Sequence, residues 1–160
     1  MKVLIVDDDK LARQGLIAVM NWEKYGFEIA GDVQNGTKAL EFLDKHPVDI
    51  VFTDIDMPEM DGFQLMQFCQ EKHPSVEFVI FSVYEDFRYA QAAIRMGALD
   101  YISKISFEPE ECEQVLGQIR AKFEKTGRQP WETGNSDLRT LEDGWMRLDW
   151  IFDERRLEEL

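Results

Sequence analysis

Basic residues, cysteine and long apolar runs are all scarce in this chain, and each scarcity removes a class of function. Its 160 residues include 18 Lys and Arg against 32 Asp and Glu, a formal charge of -14. Nucleic-acid surfaces need clustered Lys and Arg to displace counterions from phosphates, so the chain is expected to meet DNA only through a domain it does not contain. No window approaches the roughly 20 consecutive apolar residues of a membrane-spanning helix, and Met1-Lys2 leads straight into an apolar strand rather than a signal peptide. No membrane contact and a cytoplasmic location are therefore expected. Cys69 and Cys112 are too few and too far apart for a disulfide framework or a thiolate metal site. Each falls in a helical pattern and reads as a packing residue. His46 and His73 each stand beside a proline in loop-like sequence, a poor setting for metal ligands.

What is present is a core and an alternation. A hydrophobic content of 44% suffices for a stable domain without staples. Strand-like runs recur at residues 2–6, 27–31, 49–53, 77–82 and 100–103, with helical spacing between them. That alternation signals βαβ units and a parallel sheet. The first helix is read from Leu11, Leu16, Ile17 and Met20, and the second from Ala39, Leu40 and Leu43. The third follows from Phe63, Leu65, Met66 and Cys69, the fourth from Phe87, Ala90, Ala93, Ile94 and Met96, and the fifth from Cys112, Val115, Leu116, Ile119 and Phe123. Asp9 reads as the N-cap of the first helix, and Trp22 with Phe27 as the staple of the turn that follows it.

The pattern is complete by about residue 125, giving a domain over 1–125. Gly127, Pro130 and Gly134 in polar surroundings mark a linker over 126–135. Beyond it, over 136–160, Leu138, Leu141, Trp145, Leu148 and Phe152 step by three and four residues. This C-terminal helical extension is either an amphipathic helix packed back on the domain or a dimerising or inter-domain helix; the seam is too short to decide for a coiled coil.

The chemistry lies at the ends of two strands. Val3 to Val6 finishes in Asp7-Asp8-Asp9, and Val48 to Phe52 finishes in Thr53-Asp54-Ile55-Asp56-Met57-Pro58-Glu59-Met60-Asp61-Gly62. In an open parallel sheet both sets of carboxylates are delivered to one crevice at the carboxyl edge. Crowded carboxylates repel, and a hard divalent cation, Mg²⁺ above all, is the economical way to keep them ionised. An acidic, cation-loaded crevice is suited to phosphate chemistry.

With these residues in order, the chain resembles a bacterial two-component response regulator receiver domain over about residues 1–125. The resemblance implies a doubly wound, flavodoxin-like five-stranded parallel sheet in the order 2-1-3-4-5. It implies that Asp7 and Asp8 form the metal pair with Asp54 and the backbone carbonyl of Asp56, and that Asp54 is the phosphoacceptor. Ser82 and Lys104 then match the Ser/Thr and Lys that end the fourth and fifth strands, and Tyr101 matches the switch aromatic. Physically, Asp54 is a carboxylate nucleophile, Lys104 a second cation able to pair with it, and Ser82 a small hydroxyl for a phosphoryl oxygen. The implied partner is a sensor histidine kinase, and the chain is expected to be no enzyme beyond Mg²⁺-dependent self-phosphorylation and self-dephosphorylation.

The match has two departures. The family's cis Lys-Pro peptide is here Lys104-Ile105, and a non-proline cis bond costs roughly 2.5 to 4 kcal/mol; a trans bond and a differently aimed Lys104 are expected. The small residue after Ser82 is replaced by Val83, expected to narrow access and slow phosphorylation. The run from Ser82 to Ala90 resembles receivers of AraC-type DNA-binding regulators, so the chain is expected to be the receiver part of a longer transcriptional regulator, with a stand-alone receiver as the other reading. A homodimer could use the C-terminal helix or the face of helix 4, strand 5 and helix 5. An atypical receiver acting as a phosphorylation-independent binding module is the alternative function.

Overall fold

The computed structural model describes residues 1–105 and 108–130. Strands β1 (Lys2–Val6), β2 (Glu28–Val33), β3 (Ile50–Thr53), β4 (Glu77–Ser82) and β5 (Asp100–Ser103) are all parallel and lie in the order β2-β1-β3-β4-β5. Helices α1 (Lys10–Val19), α2 (Gly36–Lys45), α3 (Gly62–Lys72), α4 (Phe87–Arg95) and α5 (Pro109–Lys125) make the crossovers. This is the doubly wound arrangement expected from the alternation. β2 begins one residue later than predicted and runs two further, because it stays paired with β1 from Lys2↔Glu28 to Val6↔Val33.

Strand side chains alternate between faces, and the central strands are buried on both. Val3, Ile5, Ile50 and Phe52 pack with Leu16 of α1, with Met20 at its C-cap, and with Leu116, Ile119 and Phe123 of α5. Leu4, Val6, Val51 and Ile80 pack on the other face with Ala39 and Leu43 of α2, Leu65, Met66 and Cys69 of α3, and Ala93 of α4. Cys69 and Cys112 are both buried free thiols, and burial pushes the Cys69 thiol up to about 12. Trp22 meets Phe27 edge-on at 6.1 Å and Phe52 at 5.2 Å, filling the floor under the turn after α1.

Three apolar residues assigned to helix faces are instead exposed: Leu11 at 78%, Phe87 at 74% and Ile94 at 55%. The geometry explains the first. At about 100° per residue Leu11 lies roughly 140° from Leu16, off the buried stripe. The position about 60° from Leu16 on that stripe belongs to Arg13, which is buried. In α4 only Ala93 is fully buried, so the helix sits on the sheet by its alanines and leaves Phe87 and Ile94 outside.

At the amino edge of the sheet, α5 ends at Lys125 and Gly127 adopts φ +74°. Arg128 then turns back under the sheet: Nε lies 2.6 Å from Glu77 Oε1 at the start of β4, and Nη1 donates to the Pro74 carbonyl at 2.6 Å. Among the described residues no helix is long and apolar enough to cross a membrane. The remaining linker positions 131–135 and the helical extension expected over 136–160 lie outside the described residues.

Candidate functional site

Asp7 and Asp8 follow β1, and Asp54 follows β3, its neighbour in the sheet. Sheet order alone therefore brings the three carboxylates to one edge, and each offers an oxygen within 4.8 Å of the others. Asp54 is buried, with Oδ1 accepting from the Ile55 N–H at 2.7 Å and Oδ2 from Lys104 Nζ at 2.9 Å. Asp7 is buried too; its Oδ1 accepts from the Asp9 N–H at 2.9 Å and its Oδ2 from Lys104 Nζ at 2.5 Å. Asp8 is exposed at the rim.

The electrostatics follow from the crowding. Burial holds the Asp54 carboxyl above the usual aspartate range; the Lys104 ammonium pulls it down, and the charge of Asp7 pushes it up again. Asp8 is raised as well, by what desolvation it has and then by Asp7. Burial disfavours the charge on Lys104, but hydrogen bonds to Asp7 and Asp54 outweigh that and keep its pKa above the ordinary lysine value. Three hard carboxylate oxygens within 4.8 Å of one another, in a cluster holding one ammonium, are a donor set that fits a Mg²⁺ ion.

The loop after Asp54 is built to fold tightly against it. Asp61 caps α3 in a reciprocal capping box with Gln64, at 2.8 and 3.0 Å. Gly62 donates its N–H to the Ile55 carbonyl at 2.8 Å. A Cβ at Gly62 would stand 2.3 Å from the Asp54 carbonyl oxygen, so no larger residue fits there without moving the backbone of the candidate nucleophile.

The other predicted residues are gathered at the same edge. Ser82 is fully buried, with Oγ accepting from the Tyr84 N–H at 3.2 Å. Tyr101 is half-buried against the helix α2–α4 side of the core, and its hydroxyl donates to the Tyr84 carbonyl. Asp56 is exposed, and its side chain accepts from the Tyr84 hydroxyl at 3.2 Å. Val83 is about half exposed. The Lys104–Ile105 peptide is trans, since no cis bond occurs among the described residues. Lys104 nonetheless reaches both carboxylates, held by its N–H on the Ser82 carbonyl at 2.8 Å; the expected change of aim does not take it out of the site. Asp9 caps α1 by accepting from Leu11 and Ala12, while His46 and His73 are helix C-caps.

Two residues went unnoticed in the sequence. Tyr84 links Ser82, Asp56 and Tyr101, and its ring stacks on Tyr89 at 4.9 Å. Nothing in a loop tyrosine's local sequence announces that. Arg13 donates from Nη1 to the Asp7 carbonyl at 2.5 Å and from Nε to Asp32 Oδ2 at 2.9 Å. It did leave a signal, a cation at core spacing on an amphipathic helix.

Comparison with known proteins points one way. Residues 3–116 match the model of the response regulator receiver domain. The transcriptional regulatory protein HptR of Staphylococcus aureus is 33% identical over 118 residues, which are 74% of this chain and 46% of HptR. YesN of Bacillus subtilis, also named a transcriptional regulatory protein, is 31% identical over 74% of this chain and 33% of its own length. The chain thus spans less than half the length of these curated relatives. Among solved structures, the receiver domain of AraT, a response regulator from Geobacillus stearothermophilus, superposes with a TM-score of 0.70 at 35% identity, covering 79% of this chain and 98% of that one. An AraC two-component transcriptional regulator from Clostridium phytofermentans gives 0.65 at 31% identity, covering 79% and 97%.

Proposed function

The chain belongs to the response regulator receiver family of two-component systems, and from that premise we propose that Asp54 accepts a phosphoryl group from a sensor histidine kinase in a Mg²⁺-dependent reaction. The observation that carries this reading is the convergence of Asp7, Asp8 and Asp54 within 4.8 Å, with Lys104 bridging two of them. Asp54 Oδ attacks phosphorus, the phosphorus–nitrogen bond of the donor phosphohistidine breaks, and the imidazole leaves as a neutral ring after taking a proton. Asp7, Asp8, Asp54 and the Asp56 carbonyl would hold a Mg²⁺, which would supply positive charge against the transferred oxygens.

This chain's own groups do the rest. Lys104 loses the Asp54 carboxylate charge as a partner when that carboxylate becomes an acyl phosphate and turns its ammonium to a phosphoryl oxygen, while staying anchored on Asp7. Ser82 exchanges its bond from the Tyr84 N–H for one to another phosphoryl oxygen, and Tyr101 follows the loop. That is a two-state switch biased by a local charge. The chain is a self-phosphorylating and self-dephosphorylating switch and not a turnover enzyme. It acts in the cytoplasm, and its output is transcriptional control exerted through a DNA-binding part that this sequence does not contain.

The test is the intact mass of the chain after incubation with acetyl phosphate. A gain of one phosphoryl group that needs Mg²⁺ and vanishes in Asp54→Asn is the expected result, and Val83→Ala should acquire the group faster. A native chain that gains nothing with Mg²⁺ present would overturn the reading.

A further inference from the structure

We propose that Arg13 is the positioning residue of the acidic cluster: it clamps the β1–α1 turn to β2 and so fixes the Asp7–Asp8 pair at the separation from Asp54 that a hard divalent cation requires. The proposal rests on the reading of that cluster as a cation site. Arg13 sits on the buried stripe of α1, and burying a guanidinium is costly unless its donors are used. They are used on two elements at once. Nη1 donates to the Asp7 main-chain carbonyl at 2.5 Å, and Nε to Asp32 Oδ2 on β2 at 2.9 Å. The N–H of Asp7 meanwhile donates to the Val33 carbonyl at 3.2 Å, the residue after Asp32. The end of β1 is therefore tied to β2 by its own N–H and, through Arg13, by its own carbonyl.

The clamp completes the fixing of Asp7. Its Oδ1 is held by the Asp9 N–H and its Oδ2 by Lys104, so with Arg13 on the carbonyl every acceptor of the residue is engaged, from the α1 side and from the β5 side. Arg13 touches no carboxylate oxygen of the cluster in any of these hydrogen bonds; it acts through the backbone of Asp7. Supporting shells of this kind change metal affinity by about 10- to 100-fold. Without Arg13 the Asp7 carbonyl and Asp32 both lose their cation, and the turn that carries Asp7 and Asp8 is free to relax under the mutual repulsion of the carboxylates.

The test is the affinity of the full chain for Mn²⁺, read as the loss of the free-ion electron paramagnetic resonance signal, with Mg²⁺ competition and far-UV circular dichroism alongside. Arg13→Ala is expected to weaken Mn²⁺ binding about tenfold with the fold retained, and Arg13→Lys, which keeps the charge but not the two-armed geometry, to recover only part of it. Asp32→Asn removes one arm at a position whose side chain is 41% exposed. It should weaken binding in the same direction by less, and it carries the test should Arg13→Ala fail to fold. Native Mn²⁺ affinity in a folded Arg13→Ala or in Asp32→Asn overturns the clamp alone. A native chain that takes up no Mn²⁺ overturns the cation site and the clamp with it.

Discussion

Lys104 is the residue on which the resting site balances. It is largely buried, and its ammonium lies 2.5 Å from Asp7 and 2.9 Å from Asp54. Taking away one partner of a buried ion pair strands the other, typically at 3–5 kcal/mol. Lys104→Met, which keeps most of the volume, is therefore expected to lower stability by about 3 kcal/mol in metal-free urea denaturation, with Mg²⁺ restoring part of the loss. An unchanged midpoint would mean that water already screens the pair. Asp7 and Asp54 were legible because strand ends in a parallel sheet deliver their next residues to one crevice, whereas Lys104 was legible only through the family resemblance. What was not legible was support that depends on sequence-distant partners: Arg13 with Asp32, and Tyr84 with Asp56, Ser82 and Tyr101. Apolar character misled at Leu11, where residue type suggested core and angular position put it in water.

At the scale of elements, the loop from Asp54 to α3 shows how a helix start can serve a site. Asp61 and Gln64 satisfy backbone donors at the head of α3, and Gly62 lets that head approach the Asp54 carbonyl. The cap sets where α3 begins and hence how the loop closes. Asp61→Ala should cost about 1 kcal/mol of stability in urea denaturation, and it should also slow uptake from acetyl phosphate, since the loop it anchors starts at Asp54 and packs on that residue's main chain. Slower uptake without lost stability would point to a direct role for the Asp61 carboxylate. β1, β3 and β4 were readable almost to the residue because each is a continuous apolar run bounded by polar turns. α4 was read less well: its face is made by small alanines, so Phe87 and Ile94 dominated the pattern while lying outside it.

For the whole molecule, a net charge of -14 and a cluster of three carboxylates mean that a divalent cation should matter to stability as well as to chemistry. A ligand that binds only the folded state at 100 times its Kd stabilises by about 2.7 kcal/mol, roughly 5–10 °C in Tm for a domain of this size. Thermal unfolding with Mg²⁺, against sodium chloride of equal ionic strength, should show that rise and lose it with EDTA. An equal rise in both salts would assign the effect to general screening. A last consequence follows from Arg128, which ties the chain after α5 to Glu77 at the opposite end of β4 from Ser82. Five residue steps of strand are about 17 Å. β4 is one continuous buried strand whose carboxyl end carries Ser82 and whose amino end holds the return of the chain from α5, so a displacement of packed atoms along it would reach both poles.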